Sequence, residues 1–160
     1  TLFELLDHTL DWLCGEVDID LVVRFYEQHL LALAGFRPEL FRCVGEHAHD
    51  VPLDPAGSAQ DGAYVPYGFD PEHGGALCSD CYKKWRNQRA IVSLSPHGLG
   101  LLQACQRGPY TARLRHLTIS PTLHAEVERV MLHYITYHLE QSVRSSAFLG
   151  RLKREGLANR

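Results

Sequence analysis

No run of apolar residues in this 160-residue chain approaches the roughly eighteen that a bilayer-spanning helix requires, so a helical membrane span is excluded. No charged-then-apolar leader opens the chain either, and the expectation is a protein that is not exported. The first residue is Thr1 rather than Met, which reads as a piece whose amino-terminal part is missing. The short motifs of common catalysis are absent too: no phosphate-cradling glycine loop, no G-x-S-x-G and no H-E-x-x-H. Ten histidines do not fill that gap, because His116, His124, His133 and His138 are spread along a helical region and His47, His49 and His73 lie in a loop. We therefore expect no enzyme.

Cysteine is scarce and odd in number. Five cannot all pair, and the count fits a reducing cytoplasm better than a disulfide framework. Cys14 and Cys105 fall within apolar helical patterns and read as buried small hydrophobes. Acidic residues are missing from one stretch: Cys81 to Arg115 holds seven Lys or Arg and no Asp or Glu. Residues 1–80 carry net −12 and residues 81–160 net +9, within an overall charge of −3. Such a split points to an anionic partner, or to a basic half that sits against the acidic one.

What is present is mostly helix. A hydrophobic content of 45% with a mean hydropathy of −0.19 describes a soluble globular chain. Leu2, Leu5 or Leu6, Leu10 and Leu13 recur on one face of a first helix that Gly15 ends. Asp18 or Asp20 caps a second, where Val22, Val23, Tyr26, Leu30, Leu33 and Ala34 recur until Gly35 and Pro38 break it. His29 reads as a core or rim histidine. Ser95-Pro96 and Ser120-Pro121 are N-cap-plus-Pro starts for two later helices. The first is expected to carry Leu94, Leu99, Leu102 and Cys105 on its apolar face up to Gly108; the second carries Leu123, Val127, Val130, Met131, Tyr134, Ile135 and His138. Ser142 or Ser145 is expected to restart a last helix with Phe148, Leu149 and Leu152.

Between Cys43 and Leu77, proline and glycine exclude regular helix and leave short extended pieces at 63–67, 68–70 and 75–77. The fold expected is mainly α: a helical bundle (residues 1–42 and 82–160) with an inserted zinc-ribbon-like, Cys-rich module of irregular and short β structure (43–81).

That insert carries the chemistry. Cys78 and Cys81 are a CxxC pair able to chelate one tetrahedral Zn²⁺, and Cys43 supplies a third sulfur. The first pair is incomplete, because Glu46 stands where a second cysteine would. A Cys3His set of Cys43, His47, Cys78 and Cys81 is chemically sound, with Glu46 or His49 as alternative fourth ligands. A structural Zn²⁺ is the reading taken, against a metal-free loop held by packing and against a redox CxxC that lacks βαβ context. Catalytic zinc would need an open position and a base, a part Glu46 would have to play.

After Cys81 comes Y-K-K-W-R-N-Q-R. Cations around an aromatic ring suit single-stranded nucleic acid, with phosphates on Lys83, Lys84, Arg86 and Arg89 and a base on Trp85. Packing of Trp85 against the insert, with the cations merely solvated, is the competing reading.

Four stretches together resemble the carboxy-terminal region of the bacterial RecO family. They are Leu31–Val44 (L-A-L-A-G-F-R-P-E-L-F-R-C-V), Gly74–Cys81 (G-G-A-L-C-S-D-C), Leu94–Leu102 (L-S-P-H-G-L-G-L-L) and Tyr134–Leu139 with Arg144–Leu149. The resemblance covers nearly the whole chain. It implies a recombination mediator that binds single- and double-stranded DNA and anneals it. It also implies contact with the acidic tail of the single-strand-binding protein SSB, and joining RecR to load RecA. On that reading DNA contact falls to Lys83, Lys84, Trp85, Arg86 and Arg89, then to Arg113 and Arg115, in a cytoplasmic, nucleoid-associated protein. The alternative is a zinc-stabilised helical adaptor that ignores DNA. The chain departs from the family at Glu46, where intact sites have Cys, and in lacking anything like the family's leading OB-fold barrel.

Overall fold

The computed structural model describes residues 1–15, 18–46, 51–55, 66–87, 89–110 and 114–157, with Arg115 and residues 142–157 described as backbone only. Five α-helices and three short strands make up the regular structure among them. These are α1 (Leu2–Leu13), α2 (Ile19–Leu33), β1 (Tyr67–Asp70), β2 (Gly75–Leu77), α3 (Ser79–Trp85), β3 (Val92–Leu94), α4 (Pro96–Arg107) and α5 (Pro121–Leu157), with a 3-10 turn at Leu114–His116.

The helix starts follow their caps. Asp18 takes the Leu21 amide at 3.1 Å and opens α2; Ser95 takes the Gly98 amide at 2.9 Å and opens α4. Glu126 of α5 accepts from both the Ser95 amide and its hydroxyl, the latter at 2.8 Å, so one carboxylate fastens α4 to α5. The Asp18 carboxylate likewise reaches His124 Nε2 of α5 at 2.8 Å. Gly35 ends α2 in the left-handed region at φ 84°.

Leu21, Val22 and Phe25 of α2, Leu99, Leu102 and Cys105 of α4, and Val127, Val130, Met131 and Tyr134 of α5 pack as one core with Phe69, Leu77 and Leu94 of the sheet. Each such aliphatic side chain, fully buried, contributes about 1.5–3 kcal/mol. The sheet is antiparallel in the order β2-β1-β3, with Gly68 opposite both Leu77 and Ser93. β3 therefore completes, from beyond Cys81, the sheet that the Cys-rich segment begins. The extended pieces expected at 68–70 and 75–77 are strands; 63–65 lies outside the described residues.

Four expectations are corrected. The apolar face assigned to α1 is largely solvent-facing: Phe3 is 76% exposed, and Leu2, Leu6 and Leu10 are exposed as well. Thr9 is buried instead, with Leu5, Trp12 and Leu13 half-buried, because Trp12 stacks on the buried Tyr110 ring at 4.6 Å and fixes the helix's rotation. On α2 the buried set is Leu21, Val22, Arg24, Phe25, Gln28 and Leu31, while Leu33 and Ala34 are exposed, so the stripe is rotated from the expected one. Cys14 is exposed, since it caps α1 beyond its packed turn, whereas Cys105 is buried as expected. No helix restarts at Ser142 or Ser145: α5 runs 37 residues unbroken, about 55 Å, because neither Pro nor Gly interrupts it before Gly150.

Candidate metal centre and nucleic-acid interface

The segment from Glu39 to Val44 is brought to the CxxC pair by backbone pairing. Ala76 N–H donates to the Glu39 carbonyl at 2.8 Å and Val44 N–H to the Ala76 carbonyl at 3.0 Å, so the segment lies along β2. On its other side, Cys43 N–H donates to Val51 and Leu53 N–H to Phe41, at 2.9 and 2.8 Å. Helical side chains then hold the same loop by its carbonyls. Gln103 Nε2 of α4 donates to Leu40 at 2.8 Å and Leu53 at 3.1 Å; Gln106 Nε2 donates to Pro38 at 2.9 Å. The Tyr134 hydroxyl of α5 donates to the Phe36 carbonyl at 3.1 Å. Sequence reasoning missed these glutamines. Their signal was two amides, Gln103 and Gln106, among the apolar residues of α4.

The outcome is that Cys43, Cys78 and Cys81 meet. All three are buried, with sulfurs within 4.8 Å of one another. Sulfurs on a tetrahedral Zn²⁺ are about 3.8 Å apart, so the set is close to what a metal needs. Backbone amides point at the sulfur of Cys43: Cys78 N–H at 3.2 Å and Gly45 N–H at 3.4 Å. Such donors favour thiolate, the form that binds metal. Without a cation, burial pushes the Cys81 thiol up to about 12 and raises Cys43 above its ordinary value. Gly45 is required here, since a Cβ on it would lie 2.6 Å from Cys81 Sγ.

Of the fourth-ligand candidates, Glu46 turns its carboxylate to Lys84 Nζ at 2.6 Å and is not among the clustered groups. His47 and His49 lie outside the described residues. The donors present, three sulfurs with N–H support, fit Zn²⁺ as a soft-ligand structural ion.

α3 carries the cation surface. Cys81 and Trp85 are on its inner side, and Lys83 and Arg86, three apart, are both exposed. Neither has a partner among the described residues. Lys84 is tied to Glu46. Arg89 lies 4.6 Å over the Trp85 ring and 3.4 Å from the Glu72 carboxylate, while His73 flanks the same ring at 5.4 Å. Trp85 is therefore half-buried against its own module. Arg113 lies outside the described residues, as does the side chain of Arg115. Arg107 stacks on Phe41 at 4.1 Å and borders a cleft of about 580 Å³ lined also by Pro55, Gly100, Pro109 and Leu114. A second groove of about 260 Å³, between α2 and α5, is apolar apart from Glu27 and His138. Burial raises Glu27 and lowers His138 from their ordinary values. No helix is long and apolar enough to cross a membrane among the described residues.

The family model described as "Recombination protein O C terminal" matches residues 1–147. DNA repair protein RecO of Roseiflexus sp. (strain RS-1) is 35% identical over 92% of this chain and 46% of its own length. DNA repair protein RecO of Dehalococcoides mccartyi (strain ATCC BAA-2266 / KCTC 15142 / 195) is 28% identical over 98% of this chain and 55% of that protein. DNA repair protein RecO of Desulforudis audaxviator (strain MP104C) is 34% identical over 82% and 46%. The chain thus spans about half the length of the curated relatives it matches. No solved structure matches it.

Proposed function

The chain belongs to the RecO family as its C-terminal part, and from that premise we propose that it serves DNA repair and recombination by holding DNA, single- or double-stranded, without turning over any substrate. The observation that carries the reading is the exposed pair Lys83, on α3, and Arg86, its C-cap, which have no partner among the described residues and whose helix is pinned on its other side by the cysteine cluster. Phosphates would sit on this pair, with Lys84 joining once it leaves Glu46. Zn²⁺ would be held by Cys43, Cys78 and Cys81, with the His47 imidazole as fourth ligand, and would supply a structural cross-link. The cleft at Arg107 offers an apolar floor with a cationic rim, the chemistry that suits the acidic, aromatic-ended tail of SSB. The groove at Glu27 suits it poorly, because a carboxylate faces the same space. Contact with RecR, loading of RecA and a cytoplasmic, nucleoid-associated location complete the proposal.

Fluorescence anisotropy of a labelled single-stranded oligonucleotide against salt tests it. Affinity should fall linearly in log–log form, and Lys83→Glu with Arg86→Glu should lower the slope by about 1.4, at roughly 0.7 per phosphate contact on single strands. An unchanged slope would remove this surface. The internal pairing of Lys84 and Arg89 favours a second reading, a zinc-stabilised adaptor for an acidic protein. Such an adaptor would bind an SSB-tail peptide and leave the oligonucleotide free.

A further inference from the structure

α3 is too short to stand alone. Isolated helices below about 12–15 residues are marginal in water, and this one has seven. Its N-cap is Cys78, whose side chain makes no capping hydrogen bond, and whose amide is turned to Cys43 Sγ at 3.2 Å. Cys81 is its third residue. Two of the three clustered sulfurs therefore lie at the N-cap and in the first turn of the helix that carries Lys83 and is capped by Arg86. A further strap joins the same helix to the first knuckle, Lys84 Nζ to Glu46 Oε1 at 2.6 Å, one residue beyond Gly45.

Resting on the nucleic-acid reading above, we infer that metal binding at Cys43, Cys78 and Cys81 and phosphate binding at Lys83 and Arg86 are linked equilibria, joined through the orientation of α3. The inner side of the helix answers to the sulfurs and the outer side to the phosphates. An ion on the sulfurs fixes the direction in which Lys83 and Arg86 point, three residues apart on one turn. Without it the first turn of α3 is held by packing, by the Cys78 amide on Cys43 Sγ and by the Lys84–Glu46 strap, none of which ties Cys81 Sγ to its neighbours.

The expected linkage is moderate, and the structure gives the reason. Tyr82 packs on Gly68, whose built Cβ would lie 2.6 Å from its ring, and Trp85 is flanked by His73 and Arg89. These contacts hold the helix against β1 in either state. Loss of the ion would then loosen the angle and the first turn rather than release the whole element. A factor of about ten in affinity is the expected size, within the usual 5–150-fold range of coupling between sites.

Linkage is reciprocal, which supplies a second, independent readout. Zn²⁺ affinity is measured by competition with a chromogenic chelator, with and without saturating oligothymidine, and oligothymidine affinity is measured by anisotropy in the zinc-loaded and stripped protein. The result expected is the same factor of about ten in both directions. Lys83→Ala with Arg86→Ala should keep Zn²⁺ and lose the effect of the oligonucleotide on its affinity. Equal oligothymidine affinity in the two forms, or a Zn²⁺ affinity indifferent to bound oligothymidine, overturns the linkage while leaving DNA binding standing. Failure of the zinc-loaded protein to bind oligothymidine at all overturns the nucleic-acid reading and the linkage with it. Far-UV circular dichroism of the stripped protein separates loosening from unfolding: a lost core would overturn the local account, because the effect would then belong to the whole fold.

Discussion

Gly45 and Cys81 share a space that admits no methyl group, so at the scale of single residues the cluster is a packing problem before it is a metal problem. Gly45→Ala should reduce the Zn²⁺ retained per chain after dialysis, because the built Cβ lies 2.6 Å from Cys81 Sγ. The three cysteines were legible from spacing alone, since CxxC and a distant third Cys have few other uses. The conduct of Glu46 was not, because its partner Lys84 stands 38 positions away and only the fold brings them together. His138 carries a pH consequence. Burial holds its imidazole below the usual histidine range, and its Nε2 is buried without a hydrogen bond. The unfolded chain therefore binds a proton that the folded one refuses, and stability falls as pH drops below about 6.5. His138→Phe, placed among Phe36, Tyr134 and Tyr137, should shrink the loss of thermal midpoint between pH 7.5 and 5.5. A pH dependence equal to that of the parent would refute this.

At the scale of elements, helix starts were readable and helix faces were not. Ser95-Pro96 and Ser120-Pro121 announce α4 and α5 because capping is local chemistry. The rotation of α1 is another matter: its leucines offer more than one apolar stripe, and the Trp12 stack on Tyr110, nearly a hundred positions away in sequence, chooses between them. The continuity of α5 can be tested directly. Ser142→Pro would be accepted at the first turn of a new helix, but inside an unbroken one it should cost about 3 kcal/mol and lower the helical signal. The loop carrying Cys43 depends on α4 through Gln103, and Gln103→Ala leaves two buried carbonyls, of Leu40 and Leu53, without that donor. A loss of about 1–3 kcal/mol in urea unfolding is expected. If the loop were held by metal alone, the variant would match the parent in the zinc-loaded state.

The whole molecule sets an acidic first half against a basic second half, and part of that asymmetry is spent internally. Lys84 meets Glu46, and Arg89 meets Glu72. Besides the cysteine cluster, helical amides grip the insert at Leu53 and the segment leading into it at Pro38 and Leu40, and Tyr134 grips that segment at Phe36. Chelation should therefore leave the body folded, with a loss of helical signal no larger than the seven residues of α3 account for. Collapse of the far-UV spectrum on chelation would contradict this. By itself the sequence determined the helical class, the caps, the three sulfurs and the family, because each rests on local spacing or on an ordered set of short motifs. Only the tertiary structure decided which face of α1 and α2 is inside, which cations are occupied and what holds the knuckle. Those depend on partners dozens of positions apart, and proximity across such distances is a property of packing rather than of neighbouring residues.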